Sequence, residues 1–198
     1  MSEASPTRAV VIELKDEQRA MHEGYVFLDE KCMLLAGEIL RELGRHAEFE
    51  RAMLESHRAA VQALQAAVAR HGLEDLQVYP ALDQSNATLA RETRSVMGVR
   101  LQDARWQPAN VAPKPSVQES PEGEACRRAF VAVIEAAARL AAAGGNLERL
   151  SLEYRRSMRR ARALQDVLLP ELDRAVYGIE GRLEELEQAD AISMRRRP

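Results

Sequence analysis

The last fifty residues of the chain have the pattern of one long helix. From Leu147 to Arg197 the sequence holds one proline, two glycines and almost no turn-forming residues. A continuous helix there would be on the order of 75 Å long, at about 1.5 Å per residue, so it needs a partner along its length. The larger apolar residues recur mostly at intervals of three, four or sums of the two, the spacing of one helix face. They are Leu147, Leu150, Tyr154, Met158, Leu168, Leu172, Ile179, Leu183 and Leu186.

The other end of the chain supplies that partner. Its first forty residues carry a seven-residue repeat, which is the pattern of a left-handed coiled-coil seam. One seam position holds Leu14, Met21, Leu28 and Leu35, and the other holds Val11, Gln18, Tyr25, Cys32 and Ile39. The pattern is looser beyond Gly44 and ends near Gly72, a plausible helix stop after Arg70 and His71.

Two long amphipathic helices at opposite ends of one chain cover each other by packing as a hairpin. We therefore expect an all-α fold, built as a long antiparallel two-helix coiled-coil hairpin from the N- and C-terminal helices. The expected organisation is a single elongated domain over residues 1–198. It comprises an N-terminal long helix (1–72), a middle region with a short strand and a proline-rich loop (73–123), and a C-terminal long helix (124–198).

Local signals refine this outline. Ser5 is suited to cap the first helix and Pro6 to its first turn. In the middle region, Ala81 to Arg91 could form a short helix, and Thr93 to Leu101 is the only strand-like stretch. A glycine inside that stretch indicates a hairpin at Met97, Gly98 and Val99. Four prolines make residues 107–123 a loop, and the second helix is expected to begin near Glu122 or Glu124.

Composition limits the classes of function. The chain is 46% hydrophobic but only 4% aromatic, which does not favour a large globular core, and its net charge of −3 is close to neutral. It has no glycine-rich phosphate loop, no Glu-x-x-His pair and no histidine at metal-ligand spacing from a cysteine. We therefore predict no catalytic residues, no metal and no cofactor. Cys32 and Cys126 are interpreted as reduced thiols rather than a disulfide.

The membrane is expected to be reached only through partners. The N-terminus lacks the basic and apolar run of a signal peptide. No stretch has about 18 uninterrupted apolar residues, the length of a membrane span. The nearest, Ala129 to Ala143, is broken by Glu135 and Arg139. We therefore predict no direct membrane insertion.

Two features of the C-terminal helix are candidates for function. Pro170 lies inside the helical pattern and should kink it. A dense basic patch is made by Arg155, Arg156, Arg159, Arg160 and Arg162. Such a patch is either a solvated face, a surface for an acidic protein partner or a nucleic-acid site. Nucleic acid is disfavoured, because no aromatic residues interleave with the arginines and acidic residues follow from Glu180 onward.

Three sets of residues, in order along the chain, resemble one known family: the D subunits of the vacuolar/archaeal-type (V/A-type) ATP synthases, which form the central rotor shaft. The N-terminal set is Pro6-Thr7-Arg8, Leu14-Lys15, Gly24 and Leu28-Asp29-Glu30-Lys31. The middle set is Val96-Met97-Gly98-Val99. The C-terminal set is Arg159-Arg160, Ala163-Leu164, Pro170 and Leu183-Glu184-Glu185.

The resemblance implies a non-catalytic central stalk that transmits rotation between a catalytic hexamer and a membrane rotor. Its implied partners are the hexamer of A and B subunits, the F subunit, and a C-type (d) subunit that links the shaft to the membrane ring. The implied location is cytoplasmic and peripheral to the membrane, with no nucleic-acid partner. Under this hypothesis the arginine patch contacts acidic loops of the hexamer and Pro170 makes the shaft eccentric. The alternative is a structural or adaptor coiled coil with no rotary role.

Overall fold

In a computed structural model of the chain, the structure describes residues 7–77, 86–109 and 119–195. Its elements are helix α1 (Arg8–Gln77), strands β1 (Thr88–Val96) and β2 (Val99–Gln107), helix α2 (Pro121–Ala163), a π-helical turn (Leu164–Leu168) and helix α3 (Leu169–Arg195). The predicted fold class, long helices with a small β-hairpin in the middle, is confirmed. The expected contributions of Ser5, Pro6 and most of the proline-rich loop lie outside the described residues.

The chain divides into two compact units. The first unit comprises Met1–Leu34 together with Glu153–Pro198, and the second comprises Leu35–Leu152. The long helices α1 and α2 each contribute to both units.

The first unit pairs the start of α1 with the end of α2 and with α3. Three ion pairs fix the direction of this pairing: Lys31 with Glu153 (2.5 Å), Lys15 with Glu180 (2.6 Å) and Arg8 with Glu187 (2.6 Å). Residue numbers fall on α1 as they rise on the partner helices, so the two sides run antiparallel. The buried residues between them are small or medium in size: Val11, Cys32, Ser157, Ala161 and Val176.

The second unit packs the middle of α1 against α2 and the hairpin. Leu35, Ala60, Ala67, Ala143 and Leu150 are its buried helical residues. Strand β2 adds Val99, Leu101 and Ala104 to the same core. The alanines of this core allow the helices to pack closely. Strand β1, in contrast, has no buried residue.

The hairpin is longer than the sequence predicted. Strands β1 and β2 pair antiparallel from Thr88 opposite Gln107 to Val96 opposite Val99. Its two-residue turn has positive φ at Met97 (49°) and Gly98 (84°), the pattern of a type I′ turn.

The predicted short helix over Ala81 to Arg91 is wrong for its last residues, Thr88 to Arg91, which belong to β1. Pairing with β2 has overridden the helix propensity of this alanine- and leucine-containing segment.

The helix ends follow local chemistry. Gly72, the predicted stop, leaves the helical conformation (φ 73°, ψ 171°), but α1 resumes beyond it and continues to Gln77. Helix α2 begins at Pro121, next to the predicted start. The hydroxyl of Ser120 accepts a hydrogen bond from the Gly123 N–H at 3.0 Å, so serine caps the helix and proline occupies its first turn.

One helical stretch of the described chain, the 75 residues of Pro121–Arg195, is long and apolar enough to cross a membrane by length and composition alone. About 11% of its most apolar 18-residue window is buried within the protein. This stretch also holds the arginine patch and the Glu135–Arg139 ion pair, which are both polar.

Candidate partner-contact surface

The predicted arginine patch lies on an outward face of α2. All five arginines are exposed. At about 100° per residue, Arg155, Arg159 and Arg162 project from the side of the helix opposite the buried Ser157 and Ala161. None of the five arginines forms an ion pair or a side-chain hydrogen bond with any residue in the described ranges. Their charges are therefore available to a partner.

An ion pair that is mostly shielded from solvent lies next to this patch. Lys31 Nζ lies 2.5 Å from Glu153 Oε1, and both side chains are mostly shielded from solvent. The hydrogen bond from Lys31 lowers the pKa of Glu153, and attraction from Arg156 and Arg160 lowers it further. Glu153 is thus charged at neutral pH, and its ion-pair partner is Lys31 and not an arginine of the patch.

The π-helical turn separates the patch from Pro170. Its closing bond runs from the Leu169 N–H to the Leu164 carbonyl, one residue wider than an α-helical bond. Pro170 has no N–H to donate, and its ring would crowd the carbonyl four residues earlier in a regular α-helix. The turn therefore sits where the helix must accommodate proline. That Pro170 bends a shaft stays a prediction.

The same turn makes one expectation wrong. Leu168 belonged to the predicted inward face of the C-terminal helix, but its side chain is 40% exposed. The extra residue in the turn rotates Leu168 outward. Leu186, another member of that predicted face, is 51% exposed near the end of α3.

A buried amide holds the hairpin in the second unit. Asn146 on α2 is fully buried. Its Oδ1 accepts the backbone N–H of Gln102 at 2.8 Å, and its Nδ2 donates to the Gln102 carbonyl at 2.9 Å. Nδ2 also donates to Glu42 Oε1 at 2.9 Å. Asn146 therefore makes the two hydrogen bonds to the Gln102 backbone that a neighbouring strand would otherwise make.

Two buried carboxylates on α1 hold the hairpin from its other strand. Glu38 and Glu42 are 4% and 0% exposed. Arg94 of β1 reaches both, at 2.6 Å from Glu38 Oε1 and 3.4 Å from Glu42 Oε2. Burial raises the pKa of Glu38, but the hydrogen bonds and charges of Arg41 and Arg94 more than offset this and hold it below its ordinary value.

The sequence-predicted residues are divided between the two units. The arginine patch and Pro170 belong to the first unit, whereas Met97, Gly98 and Val99 belong to the second. Val99 is buried and Met97 is half-buried, so these two residues contribute more to packing than to an exposed contact surface. The described residues contain no group of three or more His, Cys, Asp or Glu side chains that could hold a metal ion.

The buried polar cluster of Glu38, Glu42 and Asn146 was not predicted. A signal for Glu42 was present, because it occupies the next position, seven residues on, after Leu14, Met21, Leu28 and Leu35 in the seam. A charged residue at an apolar seam position requires a polar partner when it is buried. Asn146 carries no comparable signal, because it follows two glycines in what otherwise looks like a helix interruption.

Comparisons with known proteins cover almost the whole chain. The sequence model of the family described as the ATP synthase D subunit matches residues 10–196. The V-type ATP synthase D subunit of Thermotoga neapolitana is 24% identical over 97% of this chain and 95% of its own length. The A-type ATP synthase D subunit of Pyrococcus abyssi is 26% identical over 96% and 91%. The V-type ATP synthase D subunit of Anaeromyxobacter dehalogenans is 29% identical over 99% and 96%.

Proposed function

Because the chain belongs to the family of ATP synthase D subunits, we propose that it is the non-catalytic central stalk, or rotor shaft, of a V/A-type ATP synthase. The observation that carries the proposal is the match to that family from residue 10 to residue 196, which spans both units. The antiparallel helix pair of the first unit supports it, since paired helices resist bending better than one helix alone.

Nucleotide chemistry is assigned to other subunits. The sequence contains no glycine-rich phosphate loop, the backbone cradle that many ATP-binding subunits use. What this chain supplies is a stiff surface whose sides differ chemically. The arginine patch and the differently charged remaining surface make unequal contacts with the catalytic interfaces around them, and unequal contacts shift each interface between its open and closed states.

The proposed partners are the hexamer of A and B subunits, the F subunit, and the C-type (d) subunit at the membrane ring. The arginine patch is assigned to acidic loops of the hexamer, because its five exposed cations form no ion pair or side-chain hydrogen bond with the described residues. The proposed location is cytoplasmic, peripheral to the membrane within the soluble ATPase sector.

The first test is recovery of the complex. The tagged chain, expressed in its own cells, is purified and the associated proteins are identified by mass spectrometry. The proposal expects two large ATPase subunits and a small F-like subunit. Recovery of the chain alone, as a homodimer in size-exclusion chromatography with light scattering, would refute the shaft and leave an adaptor coiled coil.

A second test addresses the patch and the proline separately. Alanine at Arg155, Arg156, Arg159 and Arg160 should weaken assembly or lower ATP-driven rotation. A matched control replaces two exposed arginines outside the patch, Arg58 and Arg128, by alanine. Pro170→Ala should alter coupling with little loss of assembly. Rotation and coupling equal to wild type in both sets of variants would refute the roles given to these residues.

A further inference from the structure

The π-helical turn keeps the buried face of the first unit in phase. Before the turn, this face is formed by Ser157, Ala161 and Leu164, at steps of four and three. After it, the face continues through half-buried or buried residues at steps of three and four: Leu169, Leu172, Val176, Ile179 and Leu183. The step from Leu164 to Leu169 is five residues, one more than an α-helix allows for two residues on the same face.

The sequence after the turn requires this extra residue. In an uninterrupted α-helix, the next residue on this face would come four residues after Leu164, and later ones would follow at alternating intervals of three and four residues. That face would hold Leu168, Glu171, Ala175, Gly178 and Arg182. Two charged residues and a glycine would then face α1 in place of leucine, valine and isoleucine. The π-helical turn is thus fixed by the apolar pattern on both sides of it.

A consequence is that two apolar side chains are turned away from the core. Val167 is 50% exposed and Leu168 is 40% exposed. Both lie one to two helical turns beyond Arg160 and Arg162, in the same unit. Val167 falls on the outward side of the helix, above Arg159 and Ala163. An apolar pair therefore adjoins the arginine patch.

We propose that Val167 and Leu168 form the apolar anchor of a protein interface whose basic rim is the arginine patch, and that its occupant is an acidic partner-subunit surface with an apolar cleft. The proposal rests on the proposed function. It adds that Val167 and Leu168 provide binding affinity, whereas the arginines attract and orient the partner. Protein interfaces combine a desolvated apolar centre with a polar rim, and arginine is enriched in them.

Charge selects the class of occupant. From Arg155 to Leu168 the helix carries five arginines and one acidic residue, Asp166. An acidic surface complements this segment. Single-stranded nucleic acids are bound by cations together with aromatic residues on which the bases stack, and the segment has no aromatic residue. A lipid surface would need a longer apolar face than two adjacent side chains.

The test compares two kinds of variant in binding to the reconstituted complex of A and B subunits. Val167→Ser/Leu168→Ser removes the anchor, and Arg155→Ala/Arg159→Ala removes part of the rim. The matched control is Leu73→Ser, which changes a 64% exposed leucine elsewhere on the chain. The dissociation constant is measured for each variant at several salt concentrations.

The two kinds of variant should fail differently. The anchor variant should bind at least tenfold more weakly, with the salt dependence of wild type, because apolar contacts are not screened by salt. The rim variant should lose affinity and show a shallower salt dependence. Leu73→Ser should bind like wild type, and all variants should keep the wild-type melting temperature because the altered side chains are exposed.

A second variant removes the turn itself. Deletion of Val167 in a Pro170→Ala background shortens the interval from Leu164 to Leu169 to four residues. Both leucines can then lie on the same face of a continuous α-helix. This variant should fold, shown by an unchanged circular dichroism spectrum, and should bind as weakly as the anchor variant. Pro170→Ala alone is its control.

The results separate the two proposals. Absence of binding by the wild-type chain to the A and B subunits would overturn the proposed function and this inference with it. Wild-type binding with no loss in the anchor variant would overturn this inference alone. Equal or tighter binding of the wild-type chain to an oligonucleotide or to anionic phospholipid vesicles would also overturn it.

Discussion

Replacement of Asn146 by alanine should loosen the hairpin of the second unit. The change removes the amide that binds both backbone groups of Gln102 and one oxygen of Glu42. Glu42 is fully buried and Gln102 is half-buried. Asn146 Oδ1 also accepts a hydrogen bond from Arg149 Nη2 at 2.7 Å. Four polar groups would thus lose a partner, and alanine offers none in return.

The expected loss follows from those four groups. A buried polar group left without a partner costs about 1–3 kcal/mol. The backbone of half-buried Gln102 can recover part of this through water, so we expect a loss of about 2–4 kcal/mol in the free energy of unfolding. In a chain of about this length, 1 kcal/mol lowers the melting temperature by about 2–4 °C, so the expected decrease is roughly 10 °C.

The assay is thermal and urea unfolding followed by circular dichroism, with hydrogen exchange of the β2 amides. The control is Ser157→Ala, which changes another buried polar residue of α2, whose side-chain hydrogen bond to Glu153 is long at 3.5 Å. It should cost less than about 1 kcal/mol. An equal loss in both variants, or unchanged exchange at Gln102, would refute the role given to Asn146.

Three further changes test other parts of the structure. Gly98→Ala should lower stability by about 1–2 kcal/mol, because a Cβ is strained at a φ of 84°; melting curves would detect it. Leu35→Ala, at a fully buried position, should lose about 2–5 kcal/mol in urea unfolding. Since Arg41 and Arg94 offset burial and hold the pKa of Glu38 below 4.5, the unfolded chain binds protons more readily. Stability should therefore fall as pH drops below about 4.5 and on through that lower pKa, less steeply in Glu38→Gln; equal pH profiles would contradict this.

The helices could be predicted because their pattern is strong. The seam from Val11 to Ile39 repeats without interruption, and this regularity indicated a long helix with a helical partner. The π-helical turn could not be predicted in the same way. Leu168 and Leu169 are adjacent leucines, and both fit a loose spacing of three and four, so the sequence alone did not show which of them faces α1.

The strands were predicted too short for a related reason. Strand β1 is exposed along most of its length, so it has no buried side to impose an alternating pattern. Val99 and Leu101 on β2 are buried and were part of the predicted stretch, whereas Thr88 to Glu92 look helical on their own. The arginine patch was evident from the sequence, but only the structure places it on an outward face, where it forms no ion pair with the residues that the structure describes.

The amide of Asn146 also affects how free copies of the chain behave towards one another. An edge strand with unpaired N–H and C=O groups is a template on which another strand can add, and this leads to aggregation. At Gln102 both groups are already occupied, and β1 carries the exposed, charged Arg91 and Glu92. Free copies of the chain should therefore remain separate instead of joining hairpin to hairpin.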